Sequence, residues 1–311
     1  MRTNTTDVRS VRDARDEADA LSQAHPEGWD AAWRTRLAHH GNIVRFDRPV
    51  DTIPISVTGR GCALHCAHCN GVYLRHMHPL SEVMAAPDQL PAGADLLISG
   101  GCDRHGRVPV VQHLDALRQL ADAHPTNWHV GFVGEEEARA LAPLVDVVSL
   151  DIVGDRETAR EVYGLDVGLD DYMRSLDTLR QHVSVVPHVT IGLRCGAPSG
   201  ERAALDALAS REIERLVYLV LIPTAGTRYA NCDPPPLAEV ADLFLETRLR
   251  MPRADLILGC MRPRGHYGRV LDLIALRSGL NAVVNPNHLA SEEAEALGLE
   301  VAWGTRCCAL D

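Results

Sequence analysis

"PISVTGRGCALHCAHCN" (54–70) decides how the rest of the chain is read. It opens as a short apolar strand, 54–59, and breaks at glycines. It then places Cys62, Cys66 and Cys69 within eight residues at Cys-x3-Cys-x2-Cys spacing. A structural zinc ion closes its tetrahedron with four protein ligands. An electron-transfer iron–sulfur cluster likewise takes four cysteines. Three thiols in a tight loop leave one coordination position free. His65 and His68 lie inside the loop, so a Cys3His zinc site is one reading. The other is a [4Fe–4S] cluster whose fourth iron stays open for a small molecule.

Working outward, the chain alternates. Strand-like runs follow at 95–101, 128–134, 146–152, 184–193, 215–223, 254–260 and 281–287, most of them near-continuously apolar, as parallel strands covered on both faces are. Amphipathic helical patterns fill the gaps at 108–124, 171–182, 236–251 and 272–280. Pro236 suits a first helical turn, and "GEEEARA" (134–140) reads as a solvated helix start. Eight strand–helix units predict an α/β fold, a (β/α)8 barrel over 51–290, with an open doubly wound sheet as the competitor. Residues 1–50 are expected to form a helical extension outside the barrel entrance, and 291–311 a tail folded back over the barrel mouth.

Composition narrows the function. The 311 residues carry a net charge of −11, with no lysine, which argues against holding nucleic-acid backbone and excludes Schiff-base chemistry. No apolar run approaches the roughly 20 residues of a membrane span, and the charged N-terminus lacks the apolar core of a signal peptide. A cytoplasmic protein is expected, with no nucleic-acid or membrane partner. In a reducing cytosol nine cysteines point to metal or redox work rather than disulfides. Barrel active sites lie at the carboxyl ends of the strands. The thiol loop follows the first strand there, Cys102 the second and Cys195 the fifth, while Cys232 lies beyond the sixth and Cys260 ends the seventh. Cys307 and Cys308 sit in the tail.

The Cys-x3-Cys-x2-Cys loop after a first barrel strand resembles the signature of the radical S-adenosylmethionine enzymes, and the resemblance continues along the chain. "ISGGCD" (98–103) is similar to the family's glycine-rich motif, so Gly100 and Gly101 are expected to receive the methionine amino group. "SLDIVGD" (149–155) and "HVTIGLRCG" (188–196) fall where ribose and carboxylate contacts lie, which nominates Asp151 and Arg194. "VLIPTAGT" (220–227) resembles the stretch bordering adenine, with Ile222 in it. His68 stands where the family commonly has an aromatic residue near adenine. The distal half looks most like archaeal-type two-component lipoyl synthases, and more distantly like biotin synthase and methylornithine synthase.

The resemblance implies a [4Fe–4S] cluster on Cys62, Cys66 and Cys69, S-adenosylmethionine, and a ferredoxin or flavodoxin as electron donor. It also implies an auxiliary iron–sulfur cluster that donates sulfur, with Cys260, Cys307 and Cys308 as leading ligands and Cys102, Cys195 or Cys232 as fourth partners. No side chain beyond the cluster is assigned a catalytic role. Arg262 and Arg264 are candidates to clamp an anion or, for Arg262, to ligate a cluster. His188, His266 and Tyr267 are candidates to line a substrate cavity. The leading expectation is a sulfurtransferase that turns C–H into C–S bonds on a carrier-bound octanoyl group or a small biosynthetic molecule such as a nucleoside, with a possible sister protein. The alternatives are a single-cluster mutase or lyase of the methylornithine-synthase type, and a non-catalytic zinc protein.

Overall fold

The computed structural model describes residues 5–310. Helices α1 (Thr5–Ala24) and α2 (Pro26–His40) lead into strand β1 (Ile43–Asp47), so the segment expected to be helical ends in the sheet. The remaining strands are β2 (Thr52–Ser56), β3 (His78–Pro79), β4 (Asp95–Ser99), β5 (Thr126–His129), β6 (Val147–Asp151), β7 (Val185–Ile191), β8 (Arg215–Val220), β9 (Asp255–Leu258), β10 (Ala282–Val284) and β11 (Glu300–Gly304). Between them run α3 (Leu80–Ala85), α4 (Leu114–Ala121), α5 (Glu135–Leu141), α6 (Arg156–Thr158), α7 (Leu169–Arg180), α8 (Glu201–Ala209), α9 (Leu237–Arg250), α10 (Gly265–Arg277) and α11 (His288–Ala296).

All pairings are parallel, in the order β11-β1-β10-β9-β8-β7-β6-β5-β4-β2-β3. The eight expected strands are therefore present in their expected order, as β2 and β4 to β10. They stop short of the expected ends because the loops stay apolar after the ladder ends. β1 and β11 enter beyond β10, on the side where β2 would close a complete barrel. There the backbone of Asp51 bridges, donating to Thr305 O at 3.3 Å and accepting from Asp95 N at 3.1 Å.

Period-two alternation sorts each strand into two faces. Leu96, Ile98, Trp128, Val148, Leu150, Leu216, Tyr218, Leu256 and Leu258 are buried against the helices. Val147, Val186, Val217 and Ile257 point inward near the amino ends of their strands, and there they meet Cys308, Ala309 and Leu310. The tail thus plugs the floor of the barrel instead of covering its mouth. Arg215 Nη1 secures it by donating to Ala309 O at 3.2 Å. Apolar side chains of the floor drive this choice of end, because the mouth offers loops in place of a complementary surface. No helix among the described residues is long and apolar enough to cross a membrane.

Candidate functional site

The thiol loop is shaped by its own backbone. The Ser56 hydroxyl donates to Gly59 O at 2.7 Å and the Thr58 hydroxyl to Gly61 O at 2.9 Å, which turns the chain sharply off β2. His65 and Asn70 occupy the left-handed region at φ 49° and 43°, a strained state for non-glycine residues that surrounding structure must hold. Their side chains meet at 3.2 Å. Ala67, fully buried between the second and third cysteines, is clamped on both sides. Its N–H donates to Val162 O at 2.7 Å and its carbonyl accepts from Tyr229 N at 3.2 Å.

Across from this loop stand Gly100 and Gly101, at the end of β4. Gly101 N donates to Thr58 Oγ1 at 2.7 Å and Ala63 N to Cys102 O at 2.8 Å, tying the two segments together. A Cβ on Gly101 would lie 1.9 Å from Gly61 O and 2.6 Å from Cys62 Cα. Only glycine allows the approach.

Loop and glycines enclose a cavity of about 350 Å³ at the carboxyl end of the barrel. Cys62, Cys66, Cys69, Cys102, His68, Gly100, Gly101, Asp151 and Ile222 all line it, nine of the expected site residues in one place. Its other walls include Leu64, Leu74, Met77, Leu97, Leu219, Leu221 and Met261, with Tyr73, Tyr163, His129 and Thr190 as further polar or aromatic members. Sequence reading missed these. His129 and Thr190 sit at inward strand positions inside runs read simply as apolar. Tyr163 ends a π-helical turn, 159–163, a device common at functional sites but without a periodic signature.

The electrostatics suit metal binding. The Cys66 thiol donates a hydrogen bond to Cys69, which pushes the Cys69 thiol well down, with the His68 ring and the Gly71 N–H adding to the effect. That same hydrogen bond, together with burial, pushes Cys66 up. The thiolate is the metal-ligating form. Burial, then Cys62 and Asp151, pushes Cys102 up to about 12, so it stays a thiol. His68 Nδ1 is buried without a hydrogen-bond partner and faces Tyr163 edge-on at 5.6 Å. Among the described residues no three Cys, His, Asp or Glu side chains converge on one ion. That disfavours a single zinc. A cubane takes one thiolate at each of three corners, and three cysteines spread round one cavity fit it.

Deeper in the barrel, the His129 and His188 rings stack edge-on at 5.4 Å. Burial pushes both down to about 4, with His129 adding to the shift at His188. Asp151 opens to the cavity, and its desolvation there pushes the carboxyl up. Folded values below the ~6.5 of a free imidazole mean that the unfolded chain binds the extra protons. Stability is therefore full above about pH 6.5 and falls toward pH 4. Replacing both histidines by glutamine should flatten the thermal midpoint across that window, and a slope equal to the parent's contradicts the assignment.

Several expected residues lie elsewhere. Arg194 is not on the cavity wall, because Glu157 and Glu161 hold its guanidinium at 2.7 and 2.8 Å. Arg262 is buried and fully engaged by Asp272 at 2.8 Å and by the carbonyls of Gly259 and Val284 at 2.7 and 2.6 Å, leaving no donor for an anion or a cluster. Arg264 is exposed and precedes α10, beside a separate pocket of about 240 Å³ that also contains Cys260. His266 pairs with Glu17, Tyr267 donates to Pro235 O, and His188 is buried against Val186 O. Cys195 and Cys232 form a disulfide, which removes them as cluster ligands. They follow β7 and β8, which are neighbours in the sheet, so 37 residues of separation in sequence become adjacency in space. Cys307 accepts from Asn127 Nδ2 at 3.3 Å on the barrel floor. Cys308 donates to it, and Cys260 lies within electrostatic reach of both.

No family model matches the chain. It is 28% identical over 248 residues to the biotin synthase of Bordetella avium (strain 197N), covering 74% of each chain. The fold is similar to that of methylornithine synthase (PylB), with a TM-score of 0.64 over 92% of this chain and 93% of that one at 14% identity. It is equally similar to HydG, a maturase of the [FeFe]-hydrogenase, at TM-score 0.64 and 14% identity over 96% and 76%. The chain is thus similar in sequence to a biotin synthase over three quarters of its length and in fold to methylornithine synthase and HydG, and it carries the three-thiol loop and its glycine cradle in one cavity.

Proposed function

We infer that the cavity binds a [4Fe–4S] cluster through Cys62, Cys66 and Cys69 and S-adenosylmethionine against Gly100 and Gly101, and that the chain is a radical enzyme. The observation that supports this most is that the three thiols and the glycine cradle share one cavity. When bound, the pair supplies a one-electron cleavage of the sulfonium bond and a carbon radical able to remove hydrogen from an unactivated carbon. The chain's residues orient and shield. Gly100 and Gly101 present open backbone to the methionine end. Asp151 accepts hydrogen bonds from ribose hydroxyls, and His68 and Ile222 border the adenine. The leucines and Met261 keep water from the reacting centre. A one-electron donor of the ferredoxin or flavodoxin type and a cytoplasmic location belong to the same proposal. Anaerobically reconstituted protein should show a reduced-cluster resonance that changes when S-adenosylmethionine is added. An unchanged resonance would overturn the reading.

The finer reading is sulfur insertion, from an auxiliary cluster on Cys260, Cys307 and Cys308, into an octanoyl-type or small biosynthetic substrate, with or without a sister protein. The biotin synthase relationship supports it. The single-cluster mutase or lyase reading is favoured by a different observation: Cys308 is buried among Val217, Ile257 and Leu310 on the barrel floor, away from the cavity that holds the three-thiol loop. Replacing Cys307 and Cys308 together with alanine separates the two. Under sulfur insertion the iron content falls from about eight to about four per chain, as two four-iron clusters become one, while cleavage of S-adenosylmethionine persists. An unchanged content near four in parent and variant alike supports the single-cluster reading.

A further inference from the structure

We propose that the Cys195–Cys232 disulfide is a redox-sensitive staple that positions the thiol loop from outside the barrel; its consequence for iron rests on the reading of that loop given above. Cys195 is exposed, and its backbone lies in the left-handed region at φ 52°, a conformation that a non-glycine residue keeps only when its surroundings impose it. Cys232, half-buried, donates its N–H to Tyr229 O at 3.2 Å. Tyr229 in turn donates its N–H to Ala67 O, between Cys66 and Cys69, and its hydroxyl to Glu161 Oε1 at 2.6 Å. Glu161 also holds Arg194, the neighbour of Cys195, and the adjacent Val162 carbonyl accepts the Ala67 N–H. Both backbone groups of Ala67 therefore end on segments that meet at Arg194 and Cys195, and the disulfide closes the ring.

The chemistry is that of an accessible disulfide. A dithiol delivers two electrons and two protons, the S–S bond breaks to give two thiols, and the dithiol is oxidised to its own disulfide. Reduction removes the covalent tie between the 227–232 segment and the loop after β7, and the clamp on Ala67 keeps only non-covalent outer support, through the Glu161 carboxylate that Tyr229 and Arg194 share and the packing under Asp233–Pro235. The same reducing conditions that the one-electron chemistry requires would then loosen the loop that performs it.

Amide exchange of the full chain tests this, in iron-free and iron-loaded forms, before reduction and in the continued presence of a phosphine reductant. The amides of Ala67, Asn70 and Val72 should exchange about tenfold faster or more after reduction, while those of Val217 and Leu256 in the strands stay unchanged. Cys195→Ser and Cys232→Ser should each reproduce the effect without reductant, and each should release loop iron faster to a chelator. Exchange that stays the same on reduction overturns the staple, because the packing of Gly192 and Gly196 beneath Asp233–Pro235 would then hold the loops alone. Free thiols at both positions in protein purified without reductant overturn it as well. If the amides respond but the loop never holds iron, the staple stands and the cluster reading fails.

Discussion

Alanine at Cys62, Cys66 or Cys69, taken singly, should lower 5′-deoxyadenosine formation from S-adenosylmethionine at least about a thousandfold, equivalent to about 4 kcal/mol of barrier. Each substitution removes one corner of a three-point attachment. The chain has no lysine, and the nearest remaining thiol, Cys102, is held protonated by its burial. The fold should survive. Only Cys66 is deeply buried, at 6% exposure, and in a chain of 311 residues trimming one small side chain, at about 1 kcal/mol, should move the melting midpoint by no more than about 2–4 °C. Iron content, product formation and thermal midpoint, measured on the same anaerobic preparations, check this. A single variant that keeps both its iron and its turnover would contradict the assignment of the loop.

Gly101→Ala should be nearly as damaging for a purely geometric reason. Its methyl group would overlap Gly61 O at 1.9 Å and Cys62 at 2.6 Å, so either the thiol loop or the end of β4 must move. Displacement of a reacting group by about 1 Å is worth on the order of a hundredfold in rate. A graded series of glycine substitutions separates close approach from backbone conformation. Gly100→Ala meets Val57, Thr58 and Val108 side chains at 3.0 to 3.2 Å, which can yield by small shifts. Gly71→Ala meets nothing within 4 Å and suffers only from φ +70°, a cost of about 1 kcal/mol. The order of loss in deoxyadenosine formation should be Gly101, then Gly100, then Gly71. Equal losses at all three would mean that the cradle is not what the glycines provide.

Much of this was legible in the chain itself. Near-continuous apolar runs such as 215–223 and 254–260 announce strands covered on both faces. The spacing of Cys62, Cys66 and Cys69 announces a ligand set with one position left open. What stayed hidden has a common cause: single polar residues carry no periodicity. Arg194 and Arg262 end on carboxylates that only the fold brings near. The Cys195–Cys232 bond depends on β7 lying beside β8. The segment "TRCCAL" (305–310) is short and mixed, so nothing in it says which end of the barrel it will fill. That end is decided by the apolar floor of Val147, Val186, Val217 and Ile257. The strand at 43–47 was missed because it follows directly on a helix and pairs with the very last strand of the chain.

We propose that one iron held by the loop after β2 lacks a protein ligand and takes up S-adenosylmethionine there. The measurement that addresses it most directly is product analysis of the anaerobically reconstituted protein after addition of dithionite and S-adenosylmethionine. Methionine and 5′-deoxyadenosine should appear in equal amounts, even without the physiological substrate. Iron-loaded protein that yields neither would contradict the account.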